Sequence, residues 1–228
     1  MRRSEINQIL REGRRLFDHF SFRLPPFADW SPLDYRKHAA DYPEILDCQL
    51  GWDVTDFGHG KFEAEGLLLF TLRNGVPGHP VYSKPYAEKI MISRTNQKTL
   101  LHYHLHKTED IINRGGGKLV FELYNCIPGT AELDTKTMVT VPGDGLFHRV
   151  APGEHLVLQP GESLTLKPGI FHAFWAEEDD VAIGEVSAVN DDHTDNVFFG
   201  EQARFPSIVE DEEPLHLLVG DYAKTLKP

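Results

Sequence analysis

The spacing of apolar residues along this chain changes period once. Between residues 5 and 20, Ile6, Ile9, Leu10, Phe17 and Phe20 recur at helical intervals behind Ser4, a residue suited to an N-cap. This predicts an amphipathic helix over 5–20, stopped by Pro25-Pro26. Ser31-Pro32 places a cap before a proline at the first helical position and predicts a short helix to about Ala40. Beyond residue 47 the period falls to two. Alternating runs predict strands over Phe62–Leu72, Ala87–Ser93, Leu100–His106, Lys118–Tyr124, Lys136–Val141, His155–Gln159, Ser163–Leu166 and Val181–Val189. Asn74-Gly75 and Pro142-Gly143-Asp144-Gly145 read as turns. Gly115-Gly116-Gly117 reads as a tight turn between strands needing positive φ, not as a phosphate loop, because no helix and no Lys-Ser/Thr follows it. Many short strands without intervening helices predict an all-β sandwich or barrel. The chain therefore divides into a helical extension, 1–46, lying on the barrel or contributing to a dimer contact, and a barrel with tail, 47–228. In the tail, the acidic run Glu210-Asp211-Glu212-Glu213 precedes an apolar stretch, Leu215–Tyr222, expected to pack back on the barrel.

Composition narrows the setting. A chain of 228 residues with 40% apolar residues, 19 Gly and 15 Pro fits one turn-rich β domain with extensions. A net charge of −12 argues against nucleic acid or an anionic membrane as partner. The longest apolar run, Leu67-Leu68-Leu69-Phe70, is far shorter than a membrane span, and no hydrophobic segment follows Met1-Arg2-Arg3 to make a signal peptide. Cys48 and Cys126 are too few for a disulfide framework, and a reduced, cytoplasmic chain is expected.

The chemistry concentrates in residues 102–109, His-Tyr-His-Leu-His-Lys-Thr-Glu. Side chains two apart on a strand share a face, so His102, His104 and His106 form two overlapping His-x-His pairs. Glu109 lies too close to His106 to return to the same ion, whereas four residues separate it from His104. With His172 from a later strand, His102, His104 and Glu109 make three imidazoles and one carboxylate, a set that suits a divalent first-row metal with positions open for substrate. His106 is left as a pocket-lining residue or one behind the ligands.

These residues, with their flanking glycines, resemble the two motifs of the cupin fold. Asn96 stands in the first glycine position, followed by His102, His104, Glu109 and Gly116; the second motif matches at Gly161, Gly169 and His172, with Pro168 displaced by one position and Ala176 replacing a non-ligand Asn. The resemblance implies a cupin-type antiparallel β-barrel (jelly roll) carrying the N-terminal helical extension. More narrowly, HYHLHKTEDIINRGGGKLVFELYN, PGIFHAFWAE, GEVSAVNDDHTDN and RFPSIVEDEEP resemble the D-lyxose isomerase family over roughly residues 85–220. That likeness implies a cytoplasmic homodimer interconverting D-lyxose with D-xylulose and D-mannose with D-fructose. Its metal would be Mn²⁺, with Zn²⁺, Co²⁺ or Fe²⁺ as other occupants. A cis-enediol route then needs a base, for which Glu185 is the candidate, and a donor to a sugar oxygen, for which Lys107 is the candidate. Asp192, Glu201 and Arg204 are the candidate substrate contacts, with Asp191, Asp195 and Asn196 readable as hydroxyl binders or as ordinary turn residues. Two alternatives share the ligand set: an Fe(II)-dependent cupin dioxygenase and a non-catalytic sugar-binding cupin. The sequence leaves open which sugar is physiological and which metal is native.

Overall fold

The first helix, α1 (Arg3–His19), starts two residues earlier than the apolar spacing predicts. The cause lies at the other end of the sequence. Arg3 N–H donates to Val209 O and Val209 N–H to Met1 O, so the chain is already pinned when the helix opens. Arg2 occupies the cap position, its N–H donating to the Glu5 carboxylate at 2.7 Å. Ser4, the expected cap, instead donates its hydroxyl to Asp211 at 2.8 Å. The structure, a computed structural model, describes every residue except Ala39, Gln202, Lys227 and Pro228.

Two short helices follow, α2 (Pro32–His38) and α3 (Pro43–Asp47). Ser31 caps α2 as expected, its Oγ accepting from Asp34 N–H at 3.2 Å. The strands are β1 (Gly51–Thr55), β2 (Leu67–Arg73), β3 (Tyr86–Ser93), β4 (Thr99–His104), β5 (Glu109–Cys126) and β6 (Leu133–Asp134). They continue with β7 (Val139–Gly143), β8 (Leu146–Val150), β9 (His155–Leu158), β10 (Ser163–Leu166), β11 (Ile170–Ala188) and β12 (Asn196–Phe198), before the last helix, α4 (Tyr222–Thr225).

All named strands pair antiparallel, ten of them in one curled sheet and β7 with β8 in a separate two-stranded one, the antiparallel β-barrel expected. Its spine is the β5–β11 pair, running in register from Ile170↔Asn125 to Ser187↔Glu109. The first half of β11 also pairs with β4 and its second half with β3, so the two long strands cross from one face of the barrel to the other. The register shifts between Glu177 and Val181, where the three glycines lie inside β5 rather than in a turn between strands. A Cβ on Gly116 would sit 1.8 Å from Asp180 O, so only glycine lets the strands bend together here. Positive φ is required, as expected, at 103° for Gly116, and Asn96 adopts 64° in its motif position.

Other boundaries differ for local reasons. Phe62–Gly66 is not strand, because Ala64 and Glu65 N–H both fold back onto Lys61 O. Asn74-Gly75 opens a connecting loop instead of a hairpin, with the Asn74 side chain drawn to Cys48 O and Asn190 O. The hairpin between β7 and β8 turns at Asp144-Gly145, leaving Pro142 and Gly143 in the strand.

β2 and β3 are buried on both faces. Leu67, Leu69 and Met91 face the barrel interior, while Leu68, Phe70, Ile90 and Ile92 form an outer layer covered by Ile6, Ile9, Leu10 and Phe17 of α1. Burying each such side chain is worth roughly 2 kcal/mol, which is why the extension lies on the barrel. The acidic tail runs alongside α1. Arg3, 1% exposed, donates to Glu210 at 2.7 Å and to Asp221 at 2.9 and 3.0 Å, and Asn7 donates to Glu212. Leu217, Leu218 and Tyr222 are buried, as expected of the apolar end. Among the described residues, no helix is long and apolar enough to cross a membrane.

Candidate active site

His102 and His104 point to one side from the end of β4, and His172 on β11 is the register partner of His102. Glu109 opens β5. Between them the chain must reverse within four residues. Asp195 makes this possible, because its side chain accepts from His106 N–H at 2.7 Å and Lys107 N–H at 3.1 Å. The strand therefore ends at His104, and His106 swings out to solvent rather than lining the pocket.

The four expected ligands converge. Ligand nitrogens of His102, His104 and His172 lie within 4.8 Å of one another, and Glu109 Oε1 is 3.2 Å from His104 Nε2 and 3.1 Å from His172 Nε2. His102 Nδ1 donates to Leu100 O at 2.8 Å and His172 Nδ1 to Ile170 O at 3.0 Å. A carbonyl can only accept, so each Nδ1 carries a proton and Nε2 is the nitrogen left to face the cluster. Burial, with His172 and His104 beside it, holds His102 well below its ordinary pKa, and burial likewise lowers His104. His102 and His104 are thus held toward the neutral form, the one that ligates. Burial alone would raise Glu109, but Lys107 and His104 hold it well below the usual carboxylate range. His104 supplies the test of fit: both ring nitrogens are buried, and apart from the Glu109 oxygen 3.2 Å from Nε2 neither has a hydrogen-bond partner among the described residues. Three converging imidazoles, one carboxylate and such an orphaned ring fit a divalent ion.

Beside this cluster lies a buried charge quartet. Lys107 Nζ is 2.8 Å from Glu109 Oε2 and 3.0 Å from Glu185 Oε1, and Lys89 Nζ is 3.3 Å from the same Glu185 oxygen. Burial opposes charge on Lys107, yet Glu109 and Glu185 raise its pKa, so it remains an ammonium. Burial would raise Glu185, but Lys107 and Lys89 lower it. Lys107 can therefore donate and Glu185 can accept a proton. Leu67, Leu69, Met91, Ile111 and Phe174 form the apolar part of the lining.

Asp192 and Arg204 also line this cavity and pair at 3.0 Å, with Arg204 2.7 Å from Asp53 on its other side. Burial opposes ionisation of Asp192, but Arg204 holds it well below the usual range. Glu201, expected beside Arg204, is exposed and outside the cavity: Arg204 is drawn inward by two carboxylates while residue 201 stays on the surface. Asp191 is a turn residue, accepting from His193 and Thr194, and Asn196 lines the cavity. Sequence reasoning missed Lys89, Asn190, Asp53 and Thr55. The signal for Lys89 was available: an isolated Lys among Ile90, Met91 and Ile92, at the inward parity of Ala87 and Met91.

Comparison with known proteins decides the family. The D-lyxose isomerase family model matches residues 1–222. The chain belongs to the D-lyxose isomerase family. The D-lyxose/D-mannose isomerase of Serratia proteamaculans is 48% identical over 227 residues, 98% of this chain and 99% of that protein. The protein of the same name from Escherichia coli O157:H7 is 47% identical over 225 residues, 97% of this chain and 98% of that one. Membership makes the chain an enzyme of the aldose–ketose isomerase class. In fold it is similar to the L-ribose isomerase of Cellulomonas parahominis solved with L-psicose, at a TM-score of 0.58 and 18% identity over 92% of this chain and 98% of that one. The Acinetobacter sp. DL28 L-ribose isomerase solved with L-ribose gives a TM-score of 0.56 at 16% identity, over 91% and 98% of the two chains.

Proposed function

We propose that this enzyme interconverts D-lyxose with D-xylulose and D-mannose with D-fructose, using a divalent metal, Mn²⁺ by preference, and a cis-enediol intermediate. The observation that carries the reading is the Glu185 carboxyl group, 3.0 Å from Lys107 Nζ and beside the converging His102, His104, Glu109 and His172. When bound by those four residues, the ion would polarise the sugar carbonyl and stabilise negative charge developing on its oxygens. Glu185 takes the C2 proton and returns it to C1, while the O2 hydroxyl gives up its proton and O1 gains one. Lys107 and Lys89 keep Glu185 ionised in the substrate-free site, and Lys107 donates to the sugar oxygen on which charge grows. Asp192 and Arg204 bind hydroxyls beyond C2. D-lyxose and D-mannose share their configuration from C2 to C4, so one site serves both sugars. Family membership favours this reading over a dioxygenase or a non-catalytic sugar-binding protein.

The decisive experiment is turnover in D₂O with the metal-loaded enzyme. A proton resting on Glu185 exchanges with solvent, so deuterium is expected at C1 of the ketose by NMR. None there after many turnovers would overturn the proton-transfer route. The homodimer is supported by Leu146 and Phe147, 67% and 77% exposed at the tip of the β7–β8 hairpin. Sedimentation at micromolar concentration is expected to give twice the chain mass, and a monomer would overturn this part of the reading.

A further inference from the structure

Arg204 is held more tightly than a surface loop requires, by residues of the cavity wall and by Asp53 behind it. Its carbonyl accepts from Thr55 Oγ1 at 2.8 Å, and the preceding Ala203 N–H donates to Phe57 O at 3.0 Å. Its Nη2 donates to both Asp53 Oδ2 and Asp192 Oδ2, and its guanidinium lies 4.8 Å over the Phe205 ring. Its Nη1 has no hydrogen-bond partner among the described residues, although it is buried. A buried guanidinium that leaves one nitrogen bare at a cavity wall is a donor awaiting an acceptor. Asp192 stands beside it as the acceptor. Together they match the donor and acceptor needs of neighbouring sugar hydroxyls.

Asp53 makes this arrangement possible without touching the cavity. It lies on β1, is 3% exposed, and uses its other oxygen to accept from Val54 N–H. With Asp192 alone, Arg204 would be free to rotate and pair bidentately with it, closing Nη1 off. We propose that Asp53 is a positioning residue: it divides the Arg204 guanidinium between two carboxylates so that Nη1 stays available to a sugar hydroxyl beyond C2, and it thereby sets which polyhydroxylated chains the cavity accepts. This rests on the sugar-isomerase reading but not on the identity of the base or the metal.

The test uses D-arabinitol, the reduced form of D-lyxose, which carries its hydroxyls and cannot react. Calorimetric titration of the metal-loaded enzyme is expected to give binding that weakens about tenfold in Asp53→Asn, the scale of one lost hydrogen bond to a charged group. In D-lyxose turnover the same variant is expected to raise KM about as much while kcat changes less than twofold, a split that a merely structural role would not produce. Arg204→Lys is expected to weaken binding similarly, and the double variant to be no worse than either single one, because both act through the same nitrogen. Metal content, expected unchanged in every variant, controls for collapse of the site. Equal D-arabinitol binding by wild type and Asp53→Asn, additive losses in the double variant, or no binding by wild type would each overturn the inference. Wild-type binding without turnover of D-lyxose would instead overturn the isomerase reading, an outcome distinct from equal binding by wild type and Asp53→Asn.

Discussion

Two ion clusters, each built on a buried cation, are finished differently. At the junction of α1 and the tail, Arg3 directs Nε, Nη1 and Nη2 at the two carboxylates of Glu210 and Asp221, and none of its nitrogens is left bare. In the barrel cavity, the quartet of Lys89, Lys107, Glu109 and Glu185 balances in charge, yet among the described residues His104 Nδ1 and Arg204 Nη1 find no hydrogen-bond partner. A cluster that closes on itself fixes the fold. One that keeps partners available has room for a ligand, and the open groups mark where that ligand goes.

The contrast breaks most severely at the metal donors. His172→Ala is expected to empty the site and lower kcat/KM by about 10⁴-fold or more, since several kcal/mol of charge stabilisation leave with the ion; elemental analysis and circular dichroism should show lost metal in an intact barrel. Glu185→Gln keeps shape and removes the base, and a fall in kcat of about 10³-fold with retained metal is expected. Undiminished kcat would remove Glu185 from that role. Arg3→Ala reverses the pattern. Leaving Asp221 buried without its partner costs about 3 kcal/mol, or roughly 6–12 °C in Tm, while kcat/KM should not move.

The smallest effect is a pH dependence of that same clamp. The Arg3 hydrogen bond holds the Glu210 carboxyl below its ordinary pKa in the folded protein. A lowered folded pKa gives stability that is fully present above the ordinary carboxylate value, about 4.3, and is lost as pH falls through the folded value. The difference in Tm between wild type and Arg3→Ala should therefore stay constant from neutral pH to about pH 5 and shrink below that. A difference growing on acidification would contradict this ion pairing.

The metal donors were legible because a metal site imposes short, fixed spacings that survive in one dimension: His102, His104 and Glu109 lie on one strand and the start of the next. The barrel was legible from period-two runs, and α1 from its apolar stripe. What was hidden depended on partners far along the chain. β1 shows no alternation, because all five of its residues are buried, and its Asp53 is matched only by Arg204, 151 positions later. The long strands read as fragments because the bend at Gly116 interrupts their pattern. Glu201 and Arg204 looked equivalent in a polar segment, and only the inward pull of Asp53 and Asp192 separates them.

The clamp between α1 and the tail also has a bearing on synthesis. Arg3 and Asp221 are 218 positions apart, so a ribosome makes the first helix long before its ionic partner exists. Until then the Ile6, Ile9, Leu10 and Phe17 stripe must find β2 and β3 without the clamp that fixes the helix start. The nascent chain therefore carries this amphipathic helix without its ionic clamp for most of its translation.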